Sequence, residues 1–249
     1  MGLMKNETFV CIDCEATGLD LDKDRIIEIA AVLFTIETDL EIYDSLVDPE
    51  MEIPEESIKI HHITQKMVVG QPKIKEVLPK VLSMIGKHII VGHGVGFDIH
   101  LVHRDAKKNG IHSSIDSNPF FDTLRMARLY GESPQNSLQT LRRHFNIGDE
   151  GAHRALNDVI VNIEVFRRLA AKYKTVEELQ KMLNRPIRLK KMPLGKHKGR
   201  DFKEIPLDYL KWAARKDFDQ DLSYSIKSEI SRRKKTIGFS TSANPFSNL

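Results

Sequence analysis

Four carboxylates and one imidazole in this chain stand where their types and spacing could support chemistry. Asp13 and Glu15 lie two residues apart in the apolar stretch FVCIDCEATGL. On a strand both side chains would point to one face, roughly 6.6 Å apart at about 3.3 Å of rise per residue. Carboxylate oxygens suit Mg²⁺ or Mn²⁺, and an apolar strand rarely carries two like charges without a counter-ion. The pair therefore indicates a divalent-metal site, although solvated acids at a strand end give the same short pattern.

The only two cysteines, Cys11 and Cys14, interleave with this acid pair and offer a CxxC thiol site as an alternative. On a strand the two thiols would point to opposite faces, and no helix N-terminus is predicted there to stabilise a thiolate. We therefore interpret both cysteines as small buried hydrophobic residues. A thiol oxidoreductase would instead predict an abnormally acidic Cys11 on thiol titration.

Further candidates lie later in the chain. Asp98 opens a predicted helix after the Gly-rich turn in VGHGVGFDIHLV, where helix capping alone would also explain a carboxylate. Asp158 falls among apolar residues of a predicted buried helix, where a lone carboxylate requires a partner. His153 lies about 140° around that helix from Asp158, or in the preceding turn. We expect this histidine to act as a general base and not to chelate beside Asp158.

Hydrophobic periodicity indicates the elements that must position these residues. Apolar runs over 8–16, 26–36 and 41–47 predict three strands, and HIIVGH predicts a fourth. Helical spacing appears in the later segments QPKIKEVLPKVLSMIG, FDIHLVHRDAKKNG, FFDTLRMARLYG, SLQTLRRHF and ALNDVIVNIEVFRRLAAKY. Strands followed by covering helices predict an α/β domain with a mixed sheet and helices on its faces.

Composition limits the class of protein. The 249 residues, 41% of them apolar, suffice for one α/β domain and a smaller attachment. No run of about 18 apolar residues and no secretory signal is evident, so we expect a cytoplasmic protein without membrane contact. Residues 1–184 hold 22 Lys and Arg against 28 Asp and Glu, whereas residues 185–249 hold 16 against 7. The basic end predicts a polyanionic partner, with a simply solvated face as the alternative.

Three ordered motifs, IDCEATGL, HGVGFDIHLV and HRALND, resemble those of the DEDDh group of DnaQ-like 3′→5′ exonucleases, the family of the proofreading epsilon subunits of bacterial DNA polymerase III. The segments PEMEIPEESIKIHHIT and FFDTLRMARLYGESPQNSLQTLRRHFNI resemble the regions between those motifs. The similarity spans about residues 7–172. It implies a ribonuclease H-like fold, with a mixed sheet flanked by helices.

The resemblance also implies roles for individual residues. Two divalent cations, Mg²⁺ or Mn²⁺, would be held by four acids, and one histidine would deprotonate the attacking water: Asp13, Glu15, Asp98, Asp158 and His153. The 3′-terminal nucleotide would be received by the Ala16 backbone, Thr17 and Leu19, with a capped turn and a core leucine as the alternative for the latter two. Family members often have Asn at the position of Gly94 and Gly at that of His62, which leaves substrate preference open. Asp122 is interpreted as structural.

The C-terminal sequence MPLGKHKGRDFKEIPLDYLKWAARKDF resembles the small domain of exodeoxyribonuclease X-like members. Lys196, Lys198 and Arg200 are predicted to contact substrate phosphates from a Gly-containing turn. Alternatively, these cations only keep soluble a small domain whose core is Tyr209, Leu210 and Trp212. The predicted organisation is an exonuclease domain, a linker, a small basic domain and a disordered tail, over 1–175, 176–191, 192–236 and 237–249.

The expected activity is therefore metal-dependent 3′→5′ hydrolysis of DNA to nucleoside 5′-monophosphates, in proofreading or repair. The expected partner is a single-stranded or frayed 3′ end, and a DNA polymerase is a further candidate partner. An exoribonuclease of the same family would use the same five residues, and the sequence does not separate the two. A non-catalytic nucleic-acid-binding module is disfavoured, because clustered acids repel phosphates.

Overall fold

A five-stranded sheet carries the N-terminal part of the chain. The structure, a computed structural model, describes residues 2–133, 135–148 and 154–242, with side chains as far as Lys234. The strands are β1 Phe9–Ala16, β2 Ile26–Phe34, β3 Asp39–Leu46, β4 Ile89–Gly92 and β5 Phe120–Asp122. Their order is β3-β2-β1-β4-β5, with β1–β2 and β2–β3 antiparallel and β1–β4 and β4–β5 parallel. The mixed sheet and its first four strands are confirmed.

Strand β5 differs from the prediction, because FFD was assigned to the start of a helix. The three residues Phe120–Asp122 pair with β4, and the helix begins only at Thr123. A strand this short is held by its neighbour in the sheet and leaves no periodicity of its own to detect.

Helices of this part lie on both faces of the sheet. The helices of this part are α1 Glu55–His61, α2 Gln65–Val68, α3 Ile74–Ile85, α4 Gly96–Lys108, α5 Thr123–Tyr130, α6 Leu138–His144, α7 Ala155–Ala170 and α8 Val176–Leu183. Apolar residues of α3 and α4 share one buried cluster with Val10 and Ile12 of β1. Helix α7 packs on the other face, where the ring of Phe166 lies 5.1 Å from Phe9 and 5.7 Å from Phe34 between centroids.

Alternation along β1 explains how one strand serves both layers. Phe9 and Cys11 face α7, whereas Val10, Ile12 and Cys14 belong to the cluster on the α3 and α4 side. Side chains two residues apart share a face of a strand, so Asp13 and Glu15 continue the α7 side. The predicted division of the cysteines between opposite faces is therefore confirmed.

The chain divides into two units, Met1–Met182 and Leu183–Leu249. The second contains helices α9 Leu207–Ala213 and α10 Gln220–Ser242 and two short 3-10 turns, Gly195–His197 and Phe202–Glu204. Its small core is made of Met192, Phe202, Ile205, Leu210, Ala213, Leu222 and Ile226.

A buried carboxylate ties α10 of this second unit to the loop before α9. Glu229 accepts hydrogen bonds from Arg232 and Arg233. A guanidinium nitrogen of Arg188 lies 3.7 Å from Glu229 Oε2. Arg233 also donates to the carbonyl oxygens of Phe202 and Lys203. The hydrogen bond from Arg232, followed by that from Arg233, lowers the pKa of Glu229 to about 2. We name Glu229, Arg188, Arg232 and Arg233 the arginine-paired cluster.

Two segments differ from the predicted organisation. The predicted linker 176–191 begins with α8, whose residues Val176, Leu179 and Leu183 are buried at helical spacing. The predicted disordered tail 237–249 is helical as far as Ser242, because α10 runs through its start, and residues 243–249 lie outside the described part. No helix in the described part of the chain is both long and apolar enough to cross a bilayer.

Candidate active site

Three carboxylates converge at the carboxyl end of β1. Asp13 and Glu15 come from the strand, and Asp158 comes from the first turn of α7. One oxygen of each lies within 4.8 Å of the others. The N-terminal turn of a helix also favours negative charge through its free N–H groups and its dipole. We name Asp13, Glu15 and Asp158 the acid cluster.

A buried ion pair holds the start of α7 over this cluster. Glu28 of β2, 1% exposed, accepts bonds from Arg154 Nε at 2.9 and 3.1 Å and from the Ala155 N–H at 2.8 Å. Glu28 pairs directly with Glu15 across the antiparallel strands, so both point to the α7 face. The bonds from Arg154 and Ala155 therefore fix the helix turn that carries Asp158 above the strand that carries Glu15.

Asp98 lies beside the acid cluster in the first turn of α4. Its Oδ1 accepts the N–H of Cys14 at 2.9 Å, which ties α4 to β1 beyond the last β1–β4 pair, Cys11 with Val91. Asp98 is not among the three acids whose oxygens come within 4.8 Å of one another. Its charge nevertheless contributes to the raised pKa of Asp13. The structure thus brings three of the four predicted ligands together and places the fourth next to them.

Burial and mutual repulsion raise the pKa values of these acids. Burial, then the charges of Asp98 and Glu15, raise the pKa of Asp13. Burial, then the charges of Asp158 and Glu28, raise the pKa of Glu15 to about 7. Burial raises the pKa of Asp98 to about 7, against the lowering effect of the Cys14 N–H bond. The local environment therefore disfavours several negative charges at once.

The donor set fits divalent cations. It offers carboxylate oxygens, which suit Mg²⁺ and Mn²⁺, close enough to share an ion. Arg154 lowers the pKa of Glu15, but its guanidinium is bonded to Glu28. A bound cation would offset the repulsion that raises these pKa values.

The surroundings of both cysteines argue against a reactive thiol site. Cys11 is buried, and its Sγ lies 3.8 Å from the carbonyl oxygen of Val159 and 3.6 Å from Asn162 Nδ2. Burial, followed by the charges of Asp13 and Asp98, raises the pKa of Cys11 well above its usual value. Burial and the same two acids also raise the pKa of Cys14. A reactive thiol needs the opposite shift.

The predicted nucleotide-contacting residues differ in their surroundings. Thr17 is buried, and its hydroxyl donates to Asp24 at 2.8 Å and accepts from the Arg25 N–H at 3.0 Å, as the capped-turn alternative requires. Leu19 is 86% exposed, so it is not a core leucine. Ala16 ends β1 at an irregularity in the pairing with β2. An exposed leucine just beyond the acid cluster is free to contact a ligand.

His153, the predicted general base, lies outside the described residues, immediately before Arg154. Its role stays a prediction. Lys196, Lys198 and Arg200 are exposed in the second unit, and their contact with substrate stays a prediction as well.

The remaining family segments have structural explanations. Asp122 caps α5 and accepts the N–H groups of Gly94 and Leu124, both at 2.9 Å, which is the structural role expected of it. Gly94 and His62, where the family often has Asn and Gly, both adopt positive φ, at 76° and 59°. Gly and Asn tolerate that conformation best. Both differences from the family pattern therefore occur where the backbone is left-handed.

Glu28 and Arg154 are not predicted as site residues from the sequence. A signal was present, since Glu28 is the one charged residue within the run IIEIAAVLF, and a buried carboxylate needs a partner. The partner stands 126 positions away, and nothing local identifies it.

A protein-family model described as "Exonuclease" matches residues 10–166. A second model, described as "Putative quorum-sensing-regulated virulence factor", matches residues 177–222. The similarity of this C-terminal part to exodeoxyribonuclease X-like small domains stays a prediction.

Similar proteins include DNA polymerase III subunits. The epsilon subunit of Aquifex aeolicus is 38% identical over 163 residues, which are 65% of this chain and 80% of that protein. The PolC-type DNA polymerase III of Clostridium perfringens is 33% identical over 196 residues, 76% of this chain but only 13% of that protein. This chain therefore spans a small part of the PolC-type relatives.

Solved structures share the fold. Exonuclease X in complex with 5′-overhanging duplex DNA superposes with a TM-score of 0.56 at 22% identity, over 70% of this chain and 99% of that one. Escherichia coli exonuclease I in complex with a dA16 oligonucleotide superposes with a TM-score of 0.61 at 19% identity, over 72% of this chain and 42% of that one. These likenesses support the ribonuclease H-like sheet and helices.

Proposed function

The chain belongs to the exonuclease family of DnaQ-like hydrolases, and from that premise we propose that it is a divalent-metal-dependent 3′→5′ exonuclease that shortens DNA. The observation that carries the proposal is the acid cluster, where carboxylates from a strand and a helix meet within 4.8 Å. Nearby phosphates would meet only repulsion there unless cations were bound. The products would be nucleoside 5′-monophosphates.

Asp13, Glu15, Asp98 and Asp158 would hold two cations, Mg²⁺ or Mn²⁺. When bound, such ions lower the pKa of a water molecule and stabilise the charge on the leaving oxygen. Asp98 also accepts the Cys14 N–H, so it would position β1 while contributing charge. The Glu28–Arg154 pair would keep Asp158 in place without contacting the substrate.

His153 would take the proton from the attacking water, since an imidazole titrates near neutrality. The water oxygen then bonds to the terminal phosphorus, the bond from phosphorus to the 3′ oxygen breaks, and that oxygen gains a proton. Leu19 would lie against the terminal base. Thr17, whose hydroxyl is already bonded to Asp24 and Arg25, would hold the turn that presents it.

DNA is favoured over RNA because the related proteins are DNA polymerase III subunits. A single-stranded or frayed 3′ end, a proofreading or repair role, association with a polymerase and a cytoplasmic, nucleoid-associated location belong to the same proposal. An exoribonuclease remains the competing outcome of the test below.

The test uses 5′-labelled DNA and RNA oligonucleotides, matched and mismatched at the 3′ end, with Mg²⁺ or Mn²⁺. We expect shortening of DNA from the 3′ end, stopped by a chelator and reduced at least about 10³-fold by Asp13→Asn, equivalent to about 4 kcal/mol of barrier. His153→Ala should cost about 10²-fold through loss of the base.

Asp116→Asn is the matched control, because this acid is exposed and its ion pair is with His103, outside the acid cluster. Its activity should equal that of the wild type. Intact oligonucleotides with both metals would refute the nuclease proposal, and faster shortening of RNA than of DNA would replace it with the exoribonuclease.

A further inference from the structure

The second unit carries an exposed aromatic surface that its core does not need. Trp212 was a candidate core residue in the sequence, yet it is 51% exposed, whereas its neighbour Leu210 is fully buried. Tyr209 packs against the core and also against Trp212, with ring centroids 5.2 Å apart. A large exposed indole on a small unit indicates a contact surface more than a packing requirement.

One basic side chain and one basic turn lie beside this aromatic pair. Lys216 Nζ lies 5.3 Å from the Trp212 ring centroid, and the buried His197 ring lies 4.4 Å from that of Tyr209 on the side of the core. Gly195 adopts φ of 72°, and a Cβ at this position would come within 2.9 Å of the Tyr209 hydroxyl. The turn that carries Lys196 therefore lies directly against Tyr209. We name Lys196, Tyr209, Trp212 and Lys216 the aromatic–basic patch.

We propose that the aromatic–basic patch is a binding site for single-stranded nucleic acid, with a base stacked on Trp212 and backbone phosphates on Lys196 and Lys216. Every base has a flat π-face, so an exposed indole accepts bases of any sequence. The Lys216 ammonium beside the ring and the exposed Lys196 on the turn against Tyr209 supply charge that can track a phosphate backbone.

Charge selects the occupant. Residues 185–249 hold 16 Lys and Arg against 7 Asp and Glu, which opposes a basic partner and suits a polyanion. An acidic protein would satisfy the charge but would not require an exposed ring at its centre. The proposal rests on the proposed function only for the kind of polymer bound, and its test requires no catalysis.

Trp212 is the only tryptophan of the chain, so its fluorescence reports on the patch itself. The full chain is titrated with oligo-dT in the presence of a chelator, which prevents cleavage. We expect saturable quenching that weakens as salt is added. Quenching of equal strength by a polyglutamate of matched charge would overturn the proposal, because that polymer has no bases. Absence of quenching while a labelled oligonucleotide binds the chain would overturn it as well.

Substitutions separate stacking from charge. Measured by anisotropy of the labelled oligonucleotide, Trp212→Ala should weaken binding about tenfold, while Trp212→Phe, which keeps a ring, should lose less. The double variant Lys196→Ala with Lys216→Ala should reduce the slope of log affinity against log salt by about 1.4.

Two matched controls lie on α10 of the same unit. Tyr224→Ala removes a ring that is 43% exposed, and Lys227→Ala removes an exposed cation. Both should bind like the wild type. If Trp212→Ala fails to fold, Trp212→Phe and the lysine pair still decide the matter, and wild-type affinity in both would refute the patch. Loss of cleavage with intact quenching would count against the proposed nuclease alone.

Discussion

Buried carboxylates have opposite kinds of neighbours in the two units of this chain, and their pKa values shift in opposite directions. In the arginine-paired cluster, Glu229 is bonded to guanidinium groups of its own chain, and its pKa falls to about 2. In the acid cluster the neighbours of Glu15 are mostly acids, and its pKa rises to about 7. The first arrangement is complete as folded, whereas the second invites a cation from solution. Neighbours, more than burial, distinguish a structural acid from a functional one.

The Glu28–Arg154 pair lies between these extremes. Glu28 is as buried as Glu229 and is likewise bonded to arginine, yet its cross-strand neighbour is Glu15 of the acid cluster. Glu28 is therefore an arginine-paired carboxylate, like Glu229, but it holds a residue of the acid cluster in place. The comparison predicts different consequences for changing each acid.

The largest effect on stability is expected at the arginine-paired cluster. Glu229→Gln leaves guanidinium groups without their counter-charge and should lower the free energy of unfolding by about 3 kcal/mol. Urea unfolding followed by Trp212 emission measures this in the second unit. In contrast, Asp13→Asn removes a repelled charge and should leave the chelator-treated protein as stable or more stable, by circular dichroism. Equal destabilisation by both changes would break the comparison.

A smaller effect on stability, together with an effect on catalysis, is expected at the Glu28–Arg154 pair. Glu28→Gln keeps the shape but weakens the bonds to Arg154 and the Ala155 N–H, at a cost of about 2 kcal/mol. Because Asp158 follows in the same helix turn, the half-saturating Mn²⁺ concentration should rise and the cleavage rate should fall about tenfold.

Arg154→Lys tests the geometry of that pair, since it keeps the charge but loses the two-point contact. It should fall between the wild type and Glu28→Gln in both measurements. A Glu28→Gln protein with wild-type metal dependence would show that the pair serves stability only.

The smallest effect is the pH dependence of the acid cluster. Glu15 has a folded-state pKa of about 7 against an ordinary value of 4.5, so the folded state holds the proton more tightly than the unfolded chain. Stability without metal should therefore be greatest below about pH 4.5 and decline as pH rises through 7.

Denaturant unfolding in chelator at pH 5 and pH 8 measures this decline. Glu15→Gln should flatten it, and Mn²⁺ should reverse it at pH 8, where the carboxylates are ionised. The pH dependence that arises from Glu229 has the opposite sign. Its contribution to the free energy of unfolding is present above about pH 4.5 and is lost as pH falls towards 2. A stability that rises between pH 5 and pH 8 in the wild type, but not in Glu15→Gln, would contradict the assignment.

Much of the site was accessible from sequence because its signals are local. The two-residue spacing of Asp13 and Glu15 placed both on one face of β1, and the helical pattern around Asp158 placed that acid on α7. Contacts between distant segments were not accessible. The bond of Glu28 to Arg154, the pairing of β5 with β4 and the exposure of Trp212 depend on how separate segments meet.

The two-faced strand β1 constrains how this protein can change over time. One inserted residue between Cys11 and Asp13 would turn both acids toward the apolar layer under α3 and α4 and send Cys14 to the opposite side. Such an insertion would remove the site and damage the core in a single event. We therefore expect length variation among natural variants to occur in the turn after Ala16 and to spare the strand.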